Sequence, residues 1–226
     1  MSSTVLAIDT ATKLASVALY DADRGPRAES TWYTSMNHTV ELMPAIVLML
    51  EKQGTAVEDL SGLAVALGPG SYTGLRIGLS VAKGLSFSLG TPVVGIPTLD
   101  IVAYAHFGQE LPICAVIQAG RERICVAFYK KRVRGWQQIT DYHLTTPEEV
   151  ASQVKGLTLF CGEIDRSLSE ALHTLVQSEI VIATPASSLR RAGYLAELGW
   201  QRLRRGESDD LTSLEPLYLH HPGLGH

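Results

Sequence analysis

Ala66-Leu67-Gly68-Pro69-Gly70-Ser71-Tyr72-Thr73-Gly74-Leu75-Arg76-Ile77-Gly78 decides how this chain is read. An apolar strand (Gly62 to Leu67) enters a turn rich in glycine and hydroxyls, and the turn opens into a helix at Gly74. Flexible backbone N–H groups at a helix N-terminus favour anions, so the stretch has the form of a phosphate cradle. It matches neither common phosphate motif. A P-loop closes on Gly-Lys-Ser/Thr, whereas Leu75 and Arg76 follow Gly74. The glycines at 68, 70 and 74 are spaced one residue too widely for the dinucleotide fingerprint.

The surroundings suit a soluble α/β protein. The 226 residues are 46% apolar, enough for one large or two small domains with packed cores. Charged residues are only 19%, which favours association with another protein. Nineteen basic against 23 acidic residues leave a net charge of −4 and argue against unaided binding to nucleic acid. Cys114, Cys125 and Cys161 are odd in number, widely spaced and outside any C-x-x-C pair, so they read as reduced core thiols. The first residues lack a basic n-region and reach an acid at Asp9, which reads as a first strand rather than a secretion signal. No apolar run approaches the ~18 residues of a membrane span. A cytoplasmic location without membrane contact is expected.

Along the chain the pattern predicts strands at 5–8, 15–20 and 29–33, then a helix to Lys52 capped by Asn37 and interrupted by Pro44. A strand (62–67), helix (74–89), strand (93–96) and helix (99–107) follow. The second half repeats the order: strands at 113–117, 124–129 and 137–143, helix 146–154, strand 157–161, helix 165–176, strand 180–182 and a long helix 187–205. Two runs of β-β-β-α-β-α-β-α predict two α/β subdomains facing across a cleft, residues 1–108 and 109–226, the latter ending in an extended tail.

An Asp-Thr turn after the first strand, in this element order, resembles the ASKHA group, which shares the RNase H-like fold of actin and sugar kinases. Closer resemblance lies in Ile8-Asp9-Thr10, His38-Thr39-Val40-Glu41-Leu42-Met43-Pro44, the Gly68 to Gly78 run, Ala82-Lys83-Gly84-Leu85 and Pro216-Leu217-Tyr218-Leu219. Together these look like the bacterial TsaB (YeaZ-type) family. That resemblance implies a non-catalytic scaffold that binds the transferase TsaD, and with it the ATPase TsaE. The assembly threonylcarbamoylates adenosine at position 37 of tRNAs reading ANN codons. It further implies no cofactor for this chain alone, ATP or ADP and metal in the partner complex, tRNA contacted through the complex, and a homodimer using the same helices.

Where the transferase carries a metal-binding His-x-x-x-His, this chain has Asp100 and Tyr104; His106 and His38 lack a second histidine four residues away. No catalytic residue and no metal ligand is therefore assigned. A phosphotransferase or peptidase is the alternative, but no H-E-x-x-H or G-x-S-x-G accompanies it. Asp9, Thr10, Gly68, Gly70, Ser71 and Thr73 are candidates for vestigial or shared nucleotide binding, although Asp9 more simply caps its own turn. The small residues Gly74, Gly78, Ala82 and Ser86 recur every four positions along one helix. With Leu75 and with His38, Leu42, Met43, Ile46 and Met49 of the preceding helix, they are expected to meet the partner. A bulky residue at Gly78 would then block the partner while leaving the fold intact. The family's acid after the first strand of the second half is replaced by Gln118. Lys130, Lys131, Arg132 and Arg134 sit on an expected hairpin tip beside Trp136, read as a solvated turn with RNA contact as the alternative. Arg202, Arg204 and Arg205 complement the last helix dipole.

Overall fold

β1 (Thr4–Asp9) is buried along its whole length, since it is covered on both faces. Its even-numbered apolar residues Leu6 and Ile8 enter one core cluster, and Val5 and Ala7 enter another. That two-faced burial is why it reads as a continuous apolar run rather than an alternation. β2 (Leu14–Asp21) and β3 (Gly25–Tyr33) follow as antiparallel neighbours. α1 (His38–Lys52), β4 (Leu60–Gly68), α2 (Tyr72–Leu89), β5 (Val93–Pro97) and α3 (Thr98–Tyr104) complete the run, with a short 3-10 turn at Val57–Asp59. The strand order is β3-β2-β1-β4-β5, with β1, β4 and β5 parallel.

The computed structural model describes residues 4–34, 37–120, 122–133, 135–177 and 179–219. A second sheet is built from β6 (Ile113–Gln118), β7 (Ile124–Arg132), β8 (Gly135–Gln138) and β9 (His143–Thr145). Next come α4 (Pro147–Gln153), β10 (Thr158–Gly162), α5 (Arg166–Leu175) and β11 (Ile180–Ile182). Its path, β11-β10-β6-β7-β8, repeats the first sheet's topology, with β9 added beside β7. The single strand expected at 137–143 is divided because Thr140 turns its hydroxyl to the amide of Phe128 at 3.0 Å and interrupts the ladder. Thr146 caps α4 in a reciprocal pair with Glu149, as Thr-x-x-Glu predicts. All three cysteines are free and buried, and burial lifts the Cys125 thiol to about 11. No helix among the described residues is long and apolar enough to cross a membrane.

The division into units differs from 1–108 and 109–226. Of the described residues, 4–101 and 191–217 form one unit, and 102–190 with 218–219 the other. α6 (Ala192–Leu203) returns to the first unit and covers the side of its sheet opposite α1 and α2. That side is lined by Ala7, Ala18 and Ala64, small residues that leave room for a helix; a Cβ on Gly199 would stand 2.4 Å from that of Ala64. The helix begins at Ala192 rather than Ser187 because its first amides are capped by the sheet. Ala192 N donates to Ser16 Oγ at 2.9 Å and Gly193 N to Glu29 Oε1 at 3.4 Å, while Arg191 pairs with Glu29 at 2.6 Å.

Beyond α6 the chain runs as a strap along the free edge of β5. Asp209 donates its amide to Val93 O at 2.8 Å and accepts from Gly95 N at 2.7 Å. Arg202 ties the strap down, donating to Gly95 O and to both Asp209 oxygens at 2.9–3.0 Å, and to Glu207 at 2.9 Å. Its role exceeds the dipole complement read from the sequence. The strap then buries Leu214, takes a bond from Lys83 to Leu214 O, and ends with Leu217 N on Leu67 O at 2.8 Å. An otherwise open sheet edge is thereby occupied.

Burial raises the Asp209 carboxyl, but the bonds from Arg202 and Gly95 prevail and hold it below its ordinary value. Its contribution is therefore present above the usual carboxylate range and lost as pH falls through the lowered value. Arg202→Ala is expected to cost about 2 kcal/mol, a fall in Tm of roughly 4–8 °C for this size of chain. Asp209→Asn should flatten the acid limb of the stability–pH curve, read by urea melts between about pH 3 and 7.

Candidate partner surface and the glycine turn

Ser71 is the N-cap of α2, its hydroxyl accepting from Gly74 N at 3.2 Å, so the helix opens two residues earlier than expected. The turn before it is pressed against the end of β1. Ser71 N donates to Ala11 O at 2.6 Å, and Thr10 Oγ1 donates to Gly74 O at 2.7 Å. A Cβ on Gly70 would stand 2.1 Å from Ala11 O, one on Gly74 2.2 Å from Thr10 O, and one on Gly78 2.2 Å from Thr10 Oγ1. Gly68 has φ +108°, and a Cβ there would meet Leu75 at 2.8 Å and the strap's Leu217 O at 3.0 Å. These glycines therefore admit the chain's own backbone. Asp9 is fully buried and accepts the amide of Ala11 at 2.9 Å, closing its own turn. Thr73 is exposed on the first turn of α2.

This placement corrects the expected partner stripe. Gly74, Gly78, Ala82 and Ser86 all face inward, and Leu75 is buried among the residues of α6's side of the sheet. On α1, Leu42, Ile46 and Met49 are core residues. His38 is buried too, with Nε2 3.1 Å from Thr12 O; it is a satisfied internal histidine. Asn37 holds the N-cap position through its carbonyl alone, without a side-chain bond. Of the ten residues expected to meet a partner, Met43 alone is exposed, at 40%.

A different surface is left open. α1 runs through Pro44 and is apolar nearly all round, and its outward side carries Val40 (67% exposed), Met43, Pro44, Val47 and Leu48 (51%) at helical spacing. Trp32 of β3 anchors α1 by donating to Glu41 at 2.9 Å, and bonds from Thr34 and Trp32 keep that carboxyl below its ordinary value. On α2 the outward side presents Ser80, Gly84 and Ser88, a second row of small residues four apart, with Phe87 exposed at 83%. A Cβ on Gly84 would meet nothing within 4 Å. The inner and outer rows are two residues out of phase, and both have the spacing of a helix contact. Only tertiary placement separates them. Arg76 lies over the Tyr72 ring at 3.8 Å at the start of the outer row.

In the second unit, Gln118 donates its side-chain amide to Asp165 Oδ2 at 2.9 Å and its backbone N–H to Glu163 at 3.1 Å. Asp165 caps α5 by accepting from Leu168 N, and that bond, then Gln118, holds its carboxyl below the ordinary value. An acid at position 118 would oppose a second carboxylate at this distance, so the amide suits this neighbour. Arg121 and Arg134 lie outside the described residues. A cleft of ≈ 580 Å³ beside Gln118 is lined also by Glu122, Arg123, Thr146, Glu148 and Asp165. Among the described residues no group of three His, Cys, Asp or Glu side chains is arranged to hold a metal ion. His106 is half-buried, its imidazole held low by burial and its Nε2 unbonded among the described residues.

The family described as "TsaD: tRNA N6-adenosine threonylcarbamoyltransferase" matches residues 33–223. Full-length similarity is to proteins named tRNA threonylcarbamoyladenosine biosynthesis protein TsaB. That of Bacillus subtilis is 31% identical over 96% of this chain and 93% of the relative. That of Escherichia coli is 27% identical over 95% of this chain and 94% of the relative. The chain belongs to the TsaD family and, within it, to the TsaB group. YeaZ from Pseudomonas aeruginosa superposes with a TM-score of 0.81 at 26% identity, covering 96% of this chain and all of that one. The Acidaminococcus fermentans (R)-2-hydroxyglutaryl-CoA dehydratase component A shares the fold alone, with a TM-score of 0.53 and 11% identity over 89% of this chain and 99% of that one. The TsaB group and its fold set this chain among threonylcarbamoyladenosine biosynthesis proteins with an actin-like ASKHA architecture.

If Gly78 serves the fold, Gly78→Ala must displace Thr10 and should lower stability by about 2 kcal/mol in the isolated chain. Thr10→Ala combined with Gly78→Ala should be less costly than the sum of the two, a non-additivity measurable by a double-mutant cycle in urea.

Proposed function

We propose that this chain is the non-catalytic scaffold of the threonylcarbamoyladenosine assembly. It docks on a TsaD-type transferase through the outward faces of α1 and α2, and through that pair receives the ATPase TsaE. The assembly then modifies adenosine at position 37 of tRNAs reading ANN codons in the cytoplasm. The observation that carries the reading is the outward row Val40, Met43, Val47 and Leu48 beside the small row Ser80, Gly84 and Ser88. Helices in water expose such a face at a cost, and covering it is favourable at about 25 cal/mol per Å². Small residues let a second helix approach closely while the methionine adapts to its shape. The same surface supports a homodimer, so self-association and transferase binding should compete.

The chemistry belongs to the partner in this reading. Asp9 and Thr10 are engaged with their own turn and with α2, and the Gly68 to Gly74 turn is fitted to the backbone of residues 10 and 11. ATP and metal are then required by the complex rather than by this chain alone.

Gly84→Leu discriminates sharply. The position is open, mid-helix and glycine, so the substitution should leave Tm unchanged or raise it, a gain of roughly 0.5–1 kcal/mol from helix propensity. It should nevertheless abolish co-elution with a TsaD-type partner and the modification of tRNA in a reconstituted assay. Leu48→Glu should do the same. Retained co-elution with both variants contradicts the interface.

A further inference from the structure

We propose that the β7–β8 ribbon of the second unit is a contact for the phosphate backbone of RNA. The proposal rests on the tRNA-modifying role above for the identity of the polyanion, and on the ribbon's geometry for the site. β7 extends past the sheet core as Lys130, Lys131 and Arg132, and β8 pairs with it antiparallel, setting Lys130 opposite Gln137, Lys131 opposite Trp136 and Arg132 opposite Gly135. Side chains alternate between the two faces of a strand, so Lys130, Arg132 and Gln137 share one face and Lys131 and Trp136 the other.

The second face is held down. Trp136 stacks on Phe107 with centroids 4.7 Å apart and planes 4° from parallel, its Nε1 donates to Phe107 O at 2.8 Å, and Lys131 pairs with Glu110. That anchorage turns Lys130 and Arg132 outward, where both are exposed. Their cross-strand neighbours are a glutamine and a glycine, and among the described residues neither cation has a carboxylate partner. The two cations stand 2 residues apart on one face of the paired ribbon. Such a strip neutralises adjacent phosphates and, through the uncharged Gln137, adds a donor without repelling them. An acidic peptide is the competing occupant, and the test separates it.

The test is fluorescence anisotropy of unmodified tRNA transcript titrated with the isolated chain between 50 and 200 mM salt. Against wild type, Lys130→Ala/Arg132→Ala should weaken binding roughly tenfold and lower the slope of log K against log salt by about 1.4–1.8, the release from two phosphates. Lys155→Ala/Arg166→Ala, which removes two other exposed cations of the same unit, should change neither. Lys130→Glu gives an independent reading from one reversal, and unchanged melting curves establish that each variant folds. No binding by wild type, equal loss in the control pair, an unaltered slope, or competition by poly-glutamate as strong as by tRNA would each overturn the proposal. Because the transferase is absent from this titration, its outcome is separate from that of the co-elution experiment.

Discussion

Two backbone carbonyls and one hydroxyl at the end of β1 need space that only glycine leaves. Thr10 O lies where a Cβ on Gly74 would be, Thr10 Oγ1 where one on Gly78 would be, and Ala11 O where one on Gly70 would be. The bonds made across this contact, Thr10 Oγ1 to Gly74 O and Ser71 N to Ala11 O, set the height and direction of α2 over the sheet. Once α2 is fixed, so is the wedge in which α1 buries Leu42, Ile46 and Met49. The outward rows of both helices follow from that arrangement. The glycines of this strand-turn-helix motif are fitted against the chain's own backbone at residues 10 and 11.

The other side of the sheet depends on a piece of chain distant in sequence. α6 fits there because alanines line that side and Ser16 and Glu29 cap its first amides. The strap after it brings Leu217 onto Leu67, at the start of the same glycine turn. The turn is thus gripped by the end of β1 on one side and by residues near the carboxyl end of the chain on the other. This gives the Pro216-Leu217 segment a physical role that its sequence alone does not suggest.

Much of the fold was legible because periodicity and caps act locally. The buried strands, the Thr146 cap and the repeated element order stand close to where the pattern places them, whereas α2 opens on a Ser71 cap two residues before the expected Gly74. The parts that differ are set by tertiary partners. Residues 187–191 have helical composition, yet the helix waits for Ser16 and Glu29. The 137–143 strand is cut by a bond from Phe128 to Thr140. Arg202 looked like an ordinary C-terminal cation, and its four acceptors come from β5 and the strap. The candidate surface was legible in kind but not in phase: α2 carries two rows of small residues, and spacing cannot say which one faces the sheet. One clue was available in α1, where apolar residues continue round the helix from 40 to 50; a helix covered on one side alone has no need of them.

The chain's methionines permit a direct test of which faces meet the partner. Met43 is 40% exposed on the outward row of α1, and Met49, less than two turns on, is 6% exposed in the core. With 13C-labelled methionine methyls, addition of a TsaD-type transferase should shift and broaden the Met43 signal and leave Met49 nearly in place. A Met49 signal that moves while Met43 stays unchanged would contradict the assignment of the inner row to the fold and the outer row to the partner.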